Sequence, residues 1–381
     1  MKLFLKKHVP FVVMMSILLT MIIILIVLGI AQNNIQFAEW WTRTFSRNYT
    51  SAFGRFQENL VFSFTEVSFI VSIVSCVVFL AWAFCCLRLK QIWKFLHRLM
   101  MVLLVVVGAI TIYSASVGVA YHRRELPLEG YKGEIKKEEF KDIASYFVND
   151  YNECANALER DENNEIIMPY SKDTLIYKLR DEFQRLPKDG YFGKYVPRAK
   201  PMLSSAIYTA FGIVGVYFGP LGESHYSTFA TNAELPFYIT HELAHGVGVM
   251  REDDAQLVAT YLGLTSDDPY IRYSCYFNTI DSIIDICKLS GNPDDYNQVR
   301  GMLSQKIWDN YSYIYYHWKG KTFISDLGDK INDLYLKMFG QKEGTSSYDD
   351  TKPDVTPSGQ VIKLSHYQSY YFKKYYDAKN Q

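Results

Sequence analysis

Three long apolar segments lie within the first 120 residues, and they constrain the fold more than any other feature of the sequence. A helix needs about 20 apolar residues to cross a bilayer. The segments run from about residue 9 to 31, from 64 to 87 and from 99 to 120. Because lipid offers no partner for unpaired backbone groups, each is predicted to be a transmembrane helix. We predict a mainly α protein, with a membrane anchor at residues 1–125 and a mostly helical domain at residues 126–381.

The distribution of Lys and Arg predicts how the anchor is oriented. The N-terminus is basic, and the short link between the second and third segments carries four further cations: Arg88, Lys90, Lys94 and Arg98. Basic residues favour the cytoplasmic side, so the N-terminus and this link are predicted to be cytoplasmic. The domain after the third segment is then extracytoplasmic. Arg123 and Arg124, just beyond that segment, favour the opposite orientation.

Charge and cysteine usage exclude several classes of function. The chain has 40 basic and 40 acidic residues and therefore lacks the basic footprint of a nucleic-acid-binding protein. Cys154, Cys275 and Cys287 lie in the polar part and form no Cys-x-x-Cys pair, so a cysteine-rich zinc site is not expected. A disulfide among these three stays open.

Coarse patterns predict the elements of the second domain. A charged pattern with helical spacing covers about residues 136–158, with Ile143, Phe147 and Tyr151 on one face. The apolar run at 206–219 is too short to span a bilayer and is predicted to be a buried core segment or a membrane-grazing piece. Residues 222–236 are predicted to be a loop or edge strand, which would supply a small β element. A helix is expected to begin near Pro236, and a second helix to end the chain after a loop at about 340–359.

The sequence His241-Glu242-Leu243-Ala244-His245 is the motif that indicates chemistry. Histidines four residues apart lie on one face of a helix and can bind one metal ion together. Glu242 stands next to the first histidine, where it can reach a metal-bound water without being a ligand. Two imidazoles and a carboxylate favour Zn²⁺. The alternative is a pair of core histidines beside a surface glutamate.

A third ligand is expected from the acidic residues that follow the motif. Gly248 can end the helix and turn the chain. Beyond it stand Glu252, Asp253 and Asp254, and a carboxylate from a second helix would complete a two-histidine, one-carboxylate site. Glu252 is favoured because Glu252 to Ala255 resembles the Glu-x-x-Ala pattern with which zincins present a third ligand. The two aspartates stay open as alternatives, and acids at a solvated helix N-terminus would also explain the triplet.

An ordered series of further segments accompanies the motif: residues 200–201, 212–218, 222–223, 234–237, 241–255, 332–337 and 340–341. With the three apolar segments, the series resembles a family of bacterial membrane proteins catalogued as domain of unknown function 3810, which carries a zincin-like HExxH motif. The resemblance covers nearly the whole chain. It implies a multi-pass protein of the bacterial cell membrane with a zincin-like metallopeptidase domain. This chain departs from the pattern at His225 and Gln256, where Asn is usual, and at Asp254, where Glu is usual.

Three further residues are candidates for substrate binding. Glu223 and His225 precede the predicted zinc helix and could line its cleft, although a loop histidine is more often simply exposed. Tyr348 lies in the C-terminal region of the resemblance and could stabilise an oxyanion.

The function expected from the sequence is a membrane-anchored zinc metallopeptidase that acts on a peptide or protein substrate while in contact with membrane lipid. The alternative is a zinc-binding membrane sensor or scaffold without turnover. Intramembrane proteolysis is disfavoured because the charged residues 251–254 do not suit a bilayer interior. The sequence predicts neither the cleavage preference nor the oligomeric state.

Overall fold

The computed structural model describes residues 2–380, and the side chains of residues 9–380. Within this range the chain is mainly α-helical with little strand, as the sequence predicts. The helices are α1 Lys2–Ala31, α2 Ile35–Trp41, α3 Arg47–Gln57, α4 Phe64–Arg88, α5 Ile92–Ser116, α6 Phe140–Ala157, α7 Lys172–Glu182, α8 Ser205–Ala210, α9 Leu235–Gly246, α10 Glu252–Thr265, α11 Pro269–Asp285, α12 Asp295–Gly301, α13 Gln305–Trp318, α14 Ser325–Met338 and α15 His366–Lys379. The strands are β1 Lys200–Pro201, β2 Gly215–Phe218, β3 Glu223–Tyr226, β4 Asp354–Val355 and β5 Val361–Lys363.

The chain divides into two units. The first comprises Met1–Arg124 together with Phe218–Glu223, and the second comprises Glu125–Tyr217 and Ser224–Gln381. The short segment between β2 and β3 groups with the membrane anchor, which the sequence does not predict.

The first unit contains three helices that are long and apolar enough to cross a membrane. They are Val9–Ala31, Phe64–Arg88 and Ile92–Ser116. The third begins at Ile92, seven residues before the predicted start, because the helix also includes Lys94 and Arg98, which precede its apolar part. It ends at Ser116, and Gly118–His122 form a 3₁₀ turn instead of a further helical turn. The protein is therefore a membrane protein by the length and composition of these helices.

The second unit is built around aromatic residues from α6, α11 and α15. Ile143, Phe147 and Tyr151 are fully buried, which confirms the predicted helical face. The Phe147 ring lies 4.7 Å from that of Tyr371, and the Tyr151 ring lies 5.0 Å from that of Tyr273. Tight aromatic packing of this kind contributes beyond simple area burial. All six cysteines are free, so no disulfide links Cys154, Cys275 and Cys287.

A three-stranded sheet with the order β1-β3-β2 forms the predicted β element. β1 and β3 pair in parallel, with Lys200 opposite His225. The prediction of a loop or edge strand for residues 222–236 is wrong at Glu223–Tyr226, because β3 lies in the middle of the sheet and is buried along its length. The apolar run at 206–219 is not one continuous core segment but divides into α8 and β2.

Candidate metal centre

Helix α9 presents the HExxH residues, and local sequence explains where it begins and ends. Pro236 occupies the first turn, where its missing N–H removes no hydrogen bond. The helix ends at Gly246, and Gly248 adopts a positive φ of 99°, which a residue with a side chain rarely accepts. This turn redirects the chain into α10, which begins with Glu252.

Three ligand atoms from α9 and α10 form a nearly equilateral triangle. Nε2 of His241 lies 3.2 Å from Nε2 of His245 and 3.1 Å from Oε2 of Glu252. The distance from Nε2 of His245 to Oε2 of Glu252 is 3.3 Å. All three residues are buried, and among the described residues they form the group of acidic and histidine side chains that could hold a metal ion.

The size of this triangle fits a small divalent ion. With ligand bonds of 2.0–2.2 Å, tetrahedral zinc separates its ligand atoms by about 3.3–3.6 Å. The three observed separations, 3.1–3.3 Å, lie within about 0.2 Å of the lower end of that range. The donor set and its spacing are therefore compatible with a small divalent ion, while the same separations are also those of hydrogen bonds among the three side chains.

The other ring nitrogen of each imidazole governs which tautomer is present. Nδ1 of His245 lies 2.7 Å from the carbonyl oxygen of Val249, to which it can donate, leaving the Nε2 lone pair for a metal. Gln256 on α10 is the corresponding neighbour of His241, since hydrogen bonding between them acts on the pKa of His241. Nδ1 of His241 and Oε1 of Gln256 are both buried, and neither has a hydrogen-bond partner of regular geometry among the described residues.

Glu242 is held between the helix and strand β2. A Cβ atom added at Gly215 would lie only 2.5 Å from Oε1 of Glu242 and 2.8 Å from its Cγ, so the carboxylate lies directly against the glycine backbone. The hydroxyl of Ser224 on β3 donates to the Glu242 carbonyl oxygen at 2.8 Å. Oε2 of Glu242 is buried without a hydrogen-bond partner among the described residues. Glu242 therefore has one carboxylate oxygen available for a further ligand such as water.

Burial shapes the charges of the site. It raises the pKa of Glu242 to about 8, with His245 acting against the shift. Burial lowers the pKa of His241. For His245 burial acts in the same direction, but the negative charges of Glu252 and Glu242 outweigh it and raise the pKa to about 9. Burial would raise the pKa of Glu252, yet the two imidazoles hold it well below its usual range. Glu252 thus stays anionic beside the two imidazoles.

The other two acids of the triplet lie elsewhere. Asp254 is buried in an ion pair with Arg251, with Oδ2 2.6 Å from a guanidinium nitrogen. Asp253 is partly exposed, and its carboxylate lies 3.9 Å from Arg251. Of the three carboxylates, the structure brings only that of Glu252 to the two histidines.

Tyr348 also lies beside the site, at the end of a 3₁₀ turn covering Gly344–Tyr348. Its ring centroid is 6.3 Å from that of His241, and Nδ2 of Asn332 on α14 donates to its hydroxyl at 3.3 Å. Burial and the nearby charge of Glu252 raise the pKa of Tyr348 well above its usual value, so the phenol keeps its proton. A neutral phenol is a hydrogen-bond donor at this position.

Glu223 and His225 do not converge on the three ligand atoms. The Glu223 carboxylate accepts hydrogen bonds from the backbone N–H groups of Phe64 and Thr65 and from the Thr65 hydroxyl, the last at 2.6 Å. It therefore caps the N-terminus of α4. His225 is buried in the central strand, with Nδ1 3.3 Å from the carbonyl oxygen of Val216.

Several neighbours of the site are not assigned by the sequence analysis. They are Gly215, Ser224, Val249, Asn332 and Gln341, whose Oε1 accepts from the backbone N–H of Glu252. Gly215, Asn332 and Gln341 lie in segments that carry the family resemblance, and that is the signal by which they could have been found. No local sequence pattern indicates Ser224 or Val249. Ser224 contacts the site through its hydroxyl, and Val249 contacts it through its backbone carbonyl.

Comparison with known proteins supports a single assignment. No curated protein and no solved structure matches the chain significantly. The family described as "Protein of unknown function (DUF3810)" matches residues 41–352, which is most of the chain. The chain belongs to the DUF3810 family.

Proposed function

We propose that this protein is a membrane-anchored zinc metallopeptidase whose catalytic domain lies on the extracytoplasmic side of a bacterial cell membrane. The observation that carries the proposal is the triangle of His241, His245 and Glu252, with separations of 3.1–3.3 Å, beside the buried carboxylate of Glu242. The triangle of side chains alone, or the buried carboxylate alone, would have a structural explanation. Together they supply a cation site and an adjacent base.

The chain's own residues have distinct roles in this proposal. His241, His245 and Glu252 hold the ion, and bound zinc would supply a water of lowered pKa and polarise the scissile carbonyl. Glu242 accepts the proton of the attacking water and passes it to the leaving amine. The Tyr348 hydroxyl donates a hydrogen bond to the carbonyl oxygen as negative charge develops on it.

The test separates metal binding from turnover. Full-length protein in detergent is analysed for zinc and for hydrolysis of a mixed peptide library, with Glu242→Gln and His245→Ala beside the parent. Glu242→Gln should keep zinc and lose about 10²–10⁴-fold in rate, because only the base is removed. His245→Ala should lose both zinc and hydrolysis.

A matched control is Glu234→Gln, which neutralises another buried carboxylate at the start of the same helix. It should retain both zinc and activity. Equal hydrolysis by Glu242→Gln and the parent would contradict the peptidase proposal. Zinc bound without hydrolysis of any peptide in either protein would favour a zinc-binding sensor or scaffold.

A further inference from the structure

Helix α14 carries an apolar stripe on its exposed side. The stripe consists of Leu327, Ile331, Leu334 and Met338, which are 52%, 57%, 63% and 71% exposed. Their spacing of four, three and four residues places them on one face, over about 16 Å of helix. Phe323, 75% exposed, extends the stripe at the N-terminal end. Scattered exposed apolar residues are ordinary, but a continuous stripe marks an interaction surface.

The stripe is not the face by which α14 packs into its own domain. Gly328 lies so close to the carbonyl oxygen of Phe211 that a Cβ would approach it to 2.2 Å, and Leu336 is completely buried. Asn332, on the same side, donates to Tyr348. Helical geometry places Asn332 and Leu336 on the side of the helix opposite the stripe, with Gly328 at its flank. The core of the domain therefore accounts for one face of α14, and the stripe requires a different partner.

The composition around the stripe resembles that of a helix at a lipid surface. Between residues 319 and 342 the chain carries five lysines and three aspartates, and Tyr315 and Tyr316 are exposed just before this stretch. Aliphatic residues on one face, flanking lysines and interfacial aromatic residues are the features of helices that lie in the headgroup region. Lysines near the surface also attract anionic lipid headgroups.

The same chain carries both the membrane helices and the domain with this stripe. The third membrane helix ends at Ser116 and the second unit begins at Glu125. The eight intervening residues span at most about 28 Å when fully extended. A domain joined to a membrane helix by so short a linker meets lipid at a high effective concentration, so even a modest affinity suffices for binding.

We propose that the apolar stripe of α14 docks on the bilayer surface, with its aliphatic side chains among the lipid headgroups. This surface is independent of the proposed peptidase activity, since no ligand atom of the metal site takes part in it. One consequence does rest on that activity. Because the opposite face of α14 carries Asn332, docking would hold Tyr348 and the metal centre near the membrane, where membrane-proximal polypeptide is the accessible substrate.

The test is site-specific photocrosslinking of the full chain in vesicles of phosphatidylcholine and phosphatidylglycerol. The photoreactive residue p-benzoylphenylalanine replaces Leu334 on the stripe or, as the matched control, Asp329, an exposed residue on the other side of the same helix. Mass spectrometry of the irradiated protein should show several-fold more lipid adduct at position 334 than at position 329. Adducts at 334 to a second copy of the chain or to another polypeptide, or no excess over 329, would overturn the proposal.

A second pair of variants guards against local disturbance by the bulky probe. With the probe at Leu334, Leu327→Asp should reduce the lipid adduct several-fold because it places a charge within the stripe. Asp329→Asn should leave the adduct unchanged. An equal yield in Leu327→Asp and the parent would also overturn the proposal.

Discussion

At the scale of single residues, Gly215 is the position where the sheet and the candidate catalytic base meet. A side chain at this position would lie within 3 Å of Oε1, Cγ and Cδ of Glu242, so the whole carboxylate would have to move. Gly215 does not have a positive φ, and alanine would therefore fit its backbone without strain. The glycine is required by the close approach of Glu242 and not by a turn.

We therefore predict that Gly215→Ala displaces Glu242 while leaving the ion ligands in place. A displacement of about 1 Å can cost about 100-fold in rate, so hydrolysis should fall by roughly that factor with zinc content unchanged. Gly301→Ala is the control, because a Cβ at Gly301 meets no atom within 4 Å. Steady-state kinetics and metal analysis of both variants provide the measurement. Undiminished hydrolysis by Gly215→Ala would show that the carboxylate position does not matter for turnover.

At the scale of elements, the N-terminus of α4 depends on a residue distant in sequence. Ser63 accepts a hydrogen bond from the N–H of Glu66 in the usual capping manner. Glu223 supplies the second acceptor, with Oε2 2.7 Å from the backbone nitrogen of Thr65. A carboxylate also interacts favourably with the positive end of the helix dipole. The start of β3 is thus hydrogen-bonded to the N-terminus of the membrane helix α4 within the first unit.

Glu223→Ala should lower the free energy of unfolding by about 1–3 kcal/mol, because it leaves the buried Thr65 donors without an acceptor. Thr65→Val removes the hydroxyl alone and should cost about 1 kcal/mol. Thermal unfolding in detergent, followed by circular dichroism, gives the comparison. An unchanged melting temperature together with a raised KM for peptide would instead place Glu223 in substrate binding.

The limits of sequence reasoning also show at this scale. Helix α9 was predictable because Pro236 and Gly248 mark its ends and the two histidines share its face. β3 was not, since the strand Glu223–Tyr226 lacks apolar alternation. Its polar side chains are satisfied by partners distant in sequence, as Ser224 is by the Glu242 carbonyl. Long-range hydrogen bonds of this kind leave no local pattern, and the same holds for the pairing of Asn332 with Tyr348.

At the scale of the whole molecule, the segment after the first membrane helix contacts the segment at the end of the third, within the first unit. Arg123, which follows the third apolar helix, is buried in an ion pair with Glu39, which follows the first, at 2.9 Å. The indole nitrogen of Trp41 donates to the carbonyl oxygen of Ala115. Three predicted crossings would place these two parts of the chain on the same side of a bilayer. Arg123 is thus engaged within the protein and is not presented to lipid headgroups, which weakens its effect on orientation.

We predict that the N-terminus is cytoplasmic and that the second unit is extracytoplasmic. The reason is the cluster of Lys90, Lys94 and Arg98 at the short connection between α4 and α5, since basic residues in short links are retained in the cytoplasm. Alkaline phosphatase, which folds only outside the cytoplasm, should be active when fused after Gln381 and inactive when fused after Lys90. Green fluorescent protein fused at the same two positions should report the reverse. Fluorescence from the fusion after Gln381 would place the candidate metal centre in the cytoplasm and rule out an extracytoplasmic peptidase, while leaving the metal site itself intact.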